Sequence, residues 1–201
     1  MERTVTALVP IRSFDGMTRL SGRLRPEDRT MLARDLAGRT TRAALDADAA
    51  VSVITADPEV KQWATTCGLD VVDEAVSRGL NGAAATGVEA VGDTPWLVIH
   101  SDLPAISADD IRAATEAVKA GYVLAPSHDG GTSIVGGTGP NFPFRYGPGS
   151  FRRHLSAVHG EAMILVRPGL ALDLDHPWDL EVLGRLGYFE TGTEHWVLGT
   201  E

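Results

Sequence analysis

The clearest indication of the fold class is the run Trp96-Leu97-Val98-Ile99-His100-Ser101-Asp102-Leu103-Pro104. Its first four residues are all apolar, which is typical of a strand buried on both faces, as in a parallel sheet. Three polar residues then leave the strand, and a capping-box pattern at Ser107-Ala108-Asp109-Asp110 predicts that a helix follows. A buried strand that passes through a polar loop into a helix is the building unit of an α/β fold.

The same alternation extends over the rest of the chain. Predicted strands occupy residues 4–10, 51–55, 69–72, 122–125 and 163–166. Predicted helices begin near Pro26, Pro58, Gly79, Ser150 and Pro177. We therefore expect a single α/β domain over residues 1–201, with a mostly parallel sheet. Ligands of such sheets bind beyond the carboxyl ends of the strands, so the loops that follow the strands are the first candidates for a site.

One segment interrupts this alternation. Residues 127–150 contain seven glycines and three prolines around a single short apolar pair, Ile134-Val135. We predict a long loop here, and so long a non-helical segment in a compact domain is usually functional.

Composition excludes several classes of protein. The 201 residues are 43% hydrophobic and 22% charged, which is ordinary for a globular chain, and no apolar run is long enough to span a membrane. The net charge of −9 argues against a nucleic-acid partner. Because Cys67 is the only cysteine, neither an internal disulfide nor a cysteine-based zinc site can form. The histidines show no metal-binding spacing, and we predict that His154 and His159 lie on the surface. No signal-peptide pattern is visible, so we expect a cytoplasmic protein.

The loop after the first strand is basic in an acidic chain. Residues 1–29 contain six arginines and four acidic residues. Arginines at the carboxyl end of a strand suit an anionic ligand, although a solvated surface loop explains them equally well. The loop is not a P-loop, because no Gly-Lys-Ser/Thr follows it.

Aspartates follow two other predicted strands. Asp102 comes directly after the buried strand, where a carboxylate can hold Mg²⁺ that also binds substrate phosphates. Asp173 and Asp175 are two residues apart and would point the same way in an extended segment. Two adjacent like charges need a cation or hydrogen-bond donors nearby. For Asp175, capping of the last helix is an equally good interpretation.

Hydroxyls and a helix start lie in and after the glycine-rich segment. Thr132 and Ser133 follow a glycine pair, and Ser150 opens a helix whose free backbone N–H groups can bind an anion. An ordinary hairpin followed by a helix cap is the competing interpretation. The glycine density favours a ligand-binding loop, because glycine lets the backbone approach a ligand closely.

Taken together, these features identify a family. The stretches concerned are Leu8-Val9-Pro10-Ile11-Arg12, Thr18-Arg19-Leu20, Gly79-Leu80-Asn81, His100-Ser101-Asp102-Leu103-Pro104, Ser127-His128-Asp129-Gly130-Gly131-Thr132, Phe144-Arg145-Tyr146-Gly147-Pro148-Gly149-Ser150-Phe151 and Leu172-Asp173-Leu174-Asp175-His176-Pro177. In this order, they resemble the guanylyltransferases of coenzyme F420 biosynthesis, in particular the actinobacterial phosphoenolpyruvate guanylyltransferases. The resemblance spans roughly residues 5–186.

The resemblance implies a fold and a set of site residues. The fold would be a single-domain, three-layer α/β nucleotidyltransferase, similar to nucleotide-diphospho-sugar transferases. Phosphoenolpyruvate would be bound by Thr132, Gly147 and Ser150. The nucleotide would be bound by Leu8, Pro10, Arg12, Arg19, Gly79 and Asn81. Mg²⁺ would be bound by Asp102, with help from Asp173 or Asp175.

One position departs from the family pattern. Met17 stands in the first loop, where relatives often carry lysine, so Arg19 or Arg23 would have to supply the missing charge. Asn81 follows the Gly79-Leu80 turn, and its amide carries the donor and the acceptor that recognition of a base edge requires.

The implied reaction transfers GMP from GTP to phosphoenolpyruvate and releases diphosphate. Three alternatives remain open at this point: 2-phospho-L-lactate or 3-phosphoglycerate as acceptor, a related sugar or molybdopterin nucleotidyltransferase, and a non-catalytic GTP-binding regulator. A functional partnership with the next transferase of the same pathway and a homodimer are also compatible with the resemblance.

Overall fold

The computed structural model describes residues 4–74 and 78–188, which build one seven-stranded sheet with helices against both faces. The strand order is β3-β2-β1-β4-β6-β5-β7. The strands are β1 (Thr6–Pro10), β2 (Ala50–Thr55), β3 (Asp70–Asp73), β4 (Trp96–Ile99), β5 (Tyr122–Pro126), β6 (Thr132–Gly137) and β7 (Ala162–Ile164).

Seven helices and one short 3-10 turn connect the strands in this part of the chain. The turn is Thr18–Leu20, and the helices are α1 (Pro26–Leu45), α2 (Pro58–Thr66), α3 (Gly79–Val91), α4 (Ala108–Ala120), α5 (Ser150–Ala157), α6 (Pro168–Ala171) and α7 (Pro177–Arg185). The predicted α/β class and the mostly parallel sheet are confirmed. Among the described residues, no helix is long and apolar enough to cross a membrane.

The predicted long loop was wrong where β6 lies, and the competing hairpin interpretation is confirmed there, because β5 and β6 are consecutive strands that pair antiparallel. This six-residue strand lies within the segment that we expected to be a loop, and it pairs antiparallel with both β4 and β5. All six of its residues are buried. A Cβ at Gly136 would lie 2.5 Å from the side chain of Val123 and 2.6 Å from that of Leu97. Glycine is therefore required there by packing within the sheet and does not mark a turn.

Two layers of helices cover the sheet. Helices α1, α2, α4 and α6 pack on one face, over a core that includes Val9, Val53 and Ile99. Helices α3 and α5 pack on the other face, over Leu8 and Val98. A third cluster joins α1 to α7 through leucines of both helices and of the first loop.

Local sequence signals set several helix starts. Asp57 caps α2 by accepting hydrogen bonds from two backbone N–H groups, and Ser107 and Asp110 form the predicted capping box of α4. At α7 the cap differs from our alternative for Asp175. The carboxylate of Asp179 accepts hydrogen bonds from the backbone N–H groups of Asp175 and His176, so the Asp175 side chain is not the cap.

Candidate functional site

A cavity of about 370 Å³ opens at the carboxyl ends of β1 to β4. Its walls are the loop after β1, the residues that follow β3 and β4, and the first turns of α3. The lining residues are Pro10, Ile11, Arg12, Ser13, Phe14, Gly16, Met17, Ala33, Leu36, Ile54, Glu74, Gly79, Leu80, Ala83, Ser101 and Asp102. The cavity thus lies where ligands of open α/β sheets bind.

The first loop is anchored by a buried aromatic ring. Phe14 is 1% exposed, packs edge-to-face on Trp63 with ring centroids 5.3 Å apart, and lies under the guanidinium of Arg34. Met17 has a positive φ of 54° at the start of the 3-10 turn, and its side chain contacts the leucine cluster between α1 and α7. A loop held at both points presents a fixed wall to the cavity.

The predicted nucleotide-binding residues of β1 and of the loop after it do not all face the cavity. Pro10 and Arg12 line the cavity, and Arg12 is exposed, without an ion pair among the described residues. Arg19 does not line the cavity; its guanidinium pairs with the carboxylate of Asp175. The side chain of Leu8 is fully buried in the core beneath α3. Arg23, the other proposed substitute for the missing lysine, pairs with Glu181 at 2.7 Å.

Asn81 and Gly79 begin α3 at the edge of the cavity. Gly79 has a φ of +71° and open space around it, so the backbone there is accessible to a ligand. The Asn81 amide is engaged elsewhere: its Oδ1 accepts a 2.6 Å hydrogen bond from the backbone N–H of Tyr146, and its Nδ2 lies 3.5 Å from the carbonyl oxygen of the same residue. These contacts tie α3 to the glycine-rich segment.

Asp102 and Asp173 meet beyond the end of β4. The backbone N–H of Leu174 donates a 2.9 Å hydrogen bond to the carbonyl of Asp102, which brings the two segments together. The Oδ1 atoms of Asp102 and Asp173 are both buried and accept no hydrogen bond from the described residues; the one close nitrogen, His128 Nδ1 beside Asp173 Oδ1, makes an ion-pair contact without hydrogen-bond geometry. Burial raises the pKa of Asp173 to about 6, and the charges of Asp102 and Asp129 act in the same direction.

A third carboxylate and a histidine border this pair. Burial raises the pKa of Asp129, but the hydrogen bonds from Ser127 and Gly131 and the charge of His128 together lower it, so it lies below its usual value. His128 Nδ1 lies 3.1 Å from Asp173 Oδ1, and its Nε2 lies 3.5 Å from Asp179 Oδ1. The loop before β6 thus stands over the segment that carries Asp173.

The donor set fits a cation that also binds substrate. In the parts of the chain that the structure covers, no group of three or more His, Cys, Asp or Glu side chains is arranged to hold a metal ion. Asp102 and Asp173 nevertheless offer two buried carboxylate oxygens. Mg²⁺ is commonly bound by only one or two protein carboxylates, because substrate phosphates and water supply its other ligands. Asp175, the alternative to Asp173, is directed to Arg19 instead.

The predicted acceptor residues form a closed network with His154. Thr132 Oγ1 lies 3.0 Å from Ser150 Oγ and 3.0 Å from His154 Nδ1, and all three side chains are almost fully buried. The backbone N–H of Arg145 donates a 2.8 Å hydrogen bond to His154 Nε2. The ring proton of neutral His154 is therefore on Nδ1, which donates to Thr132. We call Thr132, Ser150 and His154 the hydroxyl network.

Our surface assignment of His154 was wrong, whereas His159 is exposed as expected. Burial lowers the pKa of His154 to about 4, and the nearby charge of His100 acts in the same direction. The simple capping interpretation of Ser150 also fails, because the N-cap of α5 is Gly149 and the Ser150 hydroxyl bonds to Thr132 instead. Sequence patterns missed His154, since its partner lies on the unrecognised strand β6.

An aromatic wall stands between the hydroxyl network and Asp102. The Tyr146 ring lies 4.7 Å from the His154 ring and 5.1 Å from the His100 ring. His100 Nδ1 in turn lies 3.8 Å from Asp102 Oδ1. The Tyr146 hydroxyl and His100 Nε2 are buried and have no hydrogen-bond partner within residues 4–74 and 78–188. Polar atoms in this state are available to a ligand that enters between them.

Gly147 lies on the rim of this region. It is exposed, its φ is +119°, and a Cβ there would lie 3.2 Å from the guanidinium of Arg153. The α5 helix starts three residues later, and the backbone N–H of Phe151 is already bonded to the carbonyl of Gly130. The glycine-rich segment is thus fastened at several points around the hydroxyl network.

Glu74 is a cavity residue that the sequence interpretation did not include. It follows β3, is 6% exposed and lines the same cavity as Asp102. The available signal was its position, since Glu74 leaves a predicted strand just as Asp102 leaves β4.

The chain is similar to guanylyl transferases over most of its length. The family described as "Guanylyl transferase CofC like" matches residues 5–182. A phosphoenolpyruvate guanylyltransferase of Geodermatophilus obscurus is 35% identical over 164 residues, 80% of this chain and 75% of that protein. One of Sphaerobacter thermophilus is 33% identical over 194 residues, 90% of this chain and 92% of that protein.

Solved structures agree in fold. A structure described as a nucleotide-diphospho-sugar transferase of Desulfovibrio desulfuricans superposes with a TM-score of 0.76 at 16% identity, covering 94% of this chain and 90% of that one. A nucleotidyl transferase of Methanothermobacter gives a TM-score of 0.64 at 18% identity, with 90% and 96% coverage. The chain therefore has the nucleotide-diphospho-sugar transferase-like fold.

Proposed function

The chain belongs to the CofC-like guanylyl transferase family of nucleotidyltransferases, and from this membership we propose that it transfers GMP from GTP to phosphoenolpyruvate and releases diphosphate. The observation that carries the proposal is the position of Asp102. This residue lines the cavity, meets Asp173, and is joined through His100 and Tyr146 to the hydroxyl network. One carboxylate therefore stands where a nucleotide and a small phosphorylated acid would meet.

The nucleotide would occupy the cavity between the first loop and α3. Arg12 and the backbone at Gly79 face this space and would hold the phosphates and the nucleoside. Because Arg12 has no carboxylate partner in the described part of the chain, its planar guanidinium is available to donate two hydrogen bonds to a phosphate. Arg19 contributes less in this arrangement, because Asp175 already neutralises it.

Phosphoenolpyruvate would lie on the other side of Asp102. Thr132 and Ser150 would bind it through their hydroxyls, and Gly147 would let it approach the backbone. His154 is a positioning residue: by donating to Thr132, it leaves the threonine hydroxyl proton for Ser150 or for the acceptor.

The reaction needs no general base from the protein. The attacking group is an oxygen of the acceptor phosphate, which is already ionised at neutral pH. It forms a bond to the α-phosphorus of GTP, and the bond from that phosphorus to the diphosphate leaving group breaks. The residues contribute orientation and neutralisation of charge, the two effects on which such transfers mainly depend.

Asp102 and Asp173 would hold Mg²⁺, with Asp173 preferred to Asp175. When bound there, Mg²⁺ would neutralise charge that develops on the phosphate oxygens. Asp173 must be ionised to bind the cation. Burial is the main cause of its raised pKa, the charges of Asp102 and Asp129 add to it, and a bound cation would offset both effects.

The proposal is tested by incubating the protein with GTP, Mg²⁺ and each of phosphoenolpyruvate, 2-phospho-L-lactate and 3-phosphoglycerate. Mass spectrometry should detect the guanylylated product of phosphoenolpyruvate, together with released diphosphate. Faster transfer to 2-phospho-L-lactate or 3-phosphoglycerate would mean that this compound, and not phosphoenolpyruvate, is the acceptor. GTP binding without transfer to any of the three would instead support a non-catalytic nucleotide-binding protein.

A further inference from the structure

Glu74 is a buried carboxylate that the proposed reaction does not use. Glutamate is seldom buried to this extent unless it has a partner. Within the described part of the chain, its carboxylate has one hydrogen-bond partner, the backbone N–H of Arg78, which donates to Oε1 at 2.8 Å. This bond fixes the orientation of the carboxylate and leaves further acceptor capacity on it, since an ionised carboxylate offers about four lone-pair positions.

The strand order places Glu74 at the opposite end of the cavity from Asp102. Glu74 follows β3 and Asp102 follows β4, and the order β3-β2-β1-β4 separates them by three strand spacings. Three spacings amount to about 14 Å across the sheet. A nucleotide whose α-phosphate lies near Asp102 would extend along the cavity toward β3. Its ribose would lie near the middle and its base near Glu74.

The surroundings of Glu74 suit a purine. Ile54 at the end of β2, with Leu80 and Ala83 in the first turns of α3, supplies apolar surface in the same cavity. Ligand pockets commonly combine such surface with a few fixed polar groups that set specificity. Glu74 is the acidic residue on the side of the cavity formed by β2, β3 and α3.

A carboxylate distinguishes guanine from adenine by hydrogen-bonding capacity. The Watson–Crick edge of guanine presents two adjacent donors, N1–H and the 2-amino group. The N1 atom of adenine is an acceptor, which would face the carboxylate with a lone pair. An ionised glutamate can only accept, so it favours the guanine edge and opposes the adenine edge.

We propose that Glu74 selects guanine by accepting hydrogen bonds from N1–H and the 2-amino group. This inference rests on the proposed use of GTP and assigns the base recognition that we first expected of Asn81. The Asn81 amide is hydrogen-bonded to the backbone of Tyr146. The Glu74 carboxylate accepts one hydrogen bond from the described residues, that from Arg78, and can accept others from a ligand in the cavity.

The test is equilibrium binding of GTP, ITP and XTP to the full-length protein in the presence of Mg²⁺. ITP lacks the 2-amino group, and XTP replaces it with a carbonyl that would repel a carboxylate. The unaltered protein should bind GTP at least about tenfold more tightly than ITP, because a hydrogen bond to a charged group is worth such a factor. Its binding of XTP should be weaker still.

Glu74→Gln is the informative variant. Its amide oxygen can still accept from the Arg78 N–H, while its amide nitrogen now donates toward the base. Affinity for GTP should fall roughly tenfold or more, because both proposed hydrogen bonds are lost, and that for ITP should fall by less, because ITP presents only N1–H to residue 74. XTP, whose carbonyl can accept from the amide, should bind better than it does to the unaltered protein. A merely destabilised variant would not gain affinity for XTP.

Glu89→Gln is the matched control, since Glu89 is exposed on α3 and lines no part of the cavity. It should leave all three affinities unchanged. An unchanged ratio of GTP to ITP affinity in Glu74→Gln would overturn the inference. Should that variant fail to fold, the unaltered protein decides, and equal binding of GTP and ITP by it would refute the assignment.

Transfer assays on the same samples separate this inference from the proposed function. Guanine selection by Glu74 without transfer to phosphoenolpyruvate would refute the function and keep the inference. Transfer to phosphoenolpyruvate, with an unchanged ratio of GTP to ITP affinity in Glu74→Gln, would refute the inference and keep the proposed function.

Discussion

The two sides of Asp102 are built differently. On the cavity side, loops after four strands leave an open space lined by the exposed Arg12. On the glycine-rich side, Thr132 and Ser150 are buried and bonded to each other and to His154. An open cavity can accept a large ligand by contacts at its rim, whereas a closed hydroxyl network can position a small one only if all its members stay in place. Substitutions should therefore act independently on the cavity side and jointly on the other.

The largest effect is expected where the two sides meet. Asp102→Asn should lower turnover by about a hundredfold or more, because the carboxylate needed to hold a cation is lost. The fold should survive, since the buried Oδ1 has no hydrogen-bond partner to lose. Diphosphate release with saturating substrates measures the effect. Near-normal turnover at saturating Mg²⁺ would remove Asp102 from the site.

Asp173→Asn should change activity and stability in opposite directions, lowering turnover while raising the free energy of unfolding. The folded-state pKa of Asp173 is raised from 3.8 to about 6, so its ionisation costs folding free energy above pH 6 and costs none below the unfolded-state pKa. The asparagine variant should lose turnover yet gain roughly 1–3 kcal/mol in unfolding free energy at pH 8 without metal, and less at pH 5. Denaturant unfolding at both pH values measures this difference.

Asp175→Asn is the control for that experiment, because Asp175 is paired with Arg19 and partly exposed. It should give no comparable gain in unfolding free energy at pH 8. A gain equal to that of Asp173→Asn would mean that the gain does not come from the burial of Asp173 beside Asp102 and Asp129.

The hydroxyl network should respond as a unit. Thr132→Val and Ser150→Ala should each raise the Michaelis constant for phosphoenolpyruvate about tenfold to a hundredfold and leave that for GTP almost unchanged, since each removes a bond to a charged ligand. Because these hydroxyls are buried and paired, the unfolding free energy should also fall by about 1–2 kcal/mol. The double variant should cost less than the sum of the single ones.

One further variant, Gly147→Val, probes the rim of the same region. Gly147→Val should raise the Michaelis constant for phosphoenolpyruvate more than either hydroxyl variant, because a side chain there fills the rim and meets Arg153. Reduced stability with unchanged phosphoenolpyruvate kinetics in Ser150→Ala would defeat the acceptor-site assignment.

On the cavity side, a smaller and separate effect is expected. Arg12→Ala should raise the Michaelis constant for GTP about tenfold, because an exposed guanidinium facing the cavity is lost. Arg19→Ala should have little effect on that constant, since its guanidinium is already paired with Asp175 outside the cavity lining. Initial-rate kinetics with varied GTP distinguish the two. Equal effects would mean that Arg19 leaves Asp175 when the nucleotide binds.

Sequence patterns predicted the cavity side better than the other, for a physical reason. Its four strands have apolar or β-branched centres, from Val71-Val72 in β3 to Trp96–Ile99 in β4, and the loops that follow them carry the polar residues. Both signals can be read from short stretches of sequence. Strand β6 was not predicted because it ends in Gly136 and Gly137, and adjacent glycines are typical of loops. In the structure, these glycines are required by close contacts with residues of the neighbouring strands. Because β6 was not predicted, the burial of Thr132 on that strand could not be predicted either. The burial of His154 against Thr132 was missed for the same reason.

The smallest effect on function is expected at Asn81, and it distinguishes local pattern from tertiary role. From the sequence alone, the amide after a glycine turn suits base recognition, and Asn81→Ala would then reduce the preference for GTP over ATP. In the structure, the amide bonds to the Tyr146 backbone, 65 residues away.

Asn81→Ala should therefore lower the unfolding free energy by about 1 kcal/mol and leave the ratio of GTP to ATP turnover nearly unchanged. The matched comparison is Glu74→Gln, which should change that ratio while keeping the bond to Arg78. Thermal unfolding and nucleotide competition on both variants complete the test. A loss of GTP preference in Asn81→Ala at unchanged stability would return base recognition to the start of α3, and would make the contact with Tyr146 one that the nucleotide displaces.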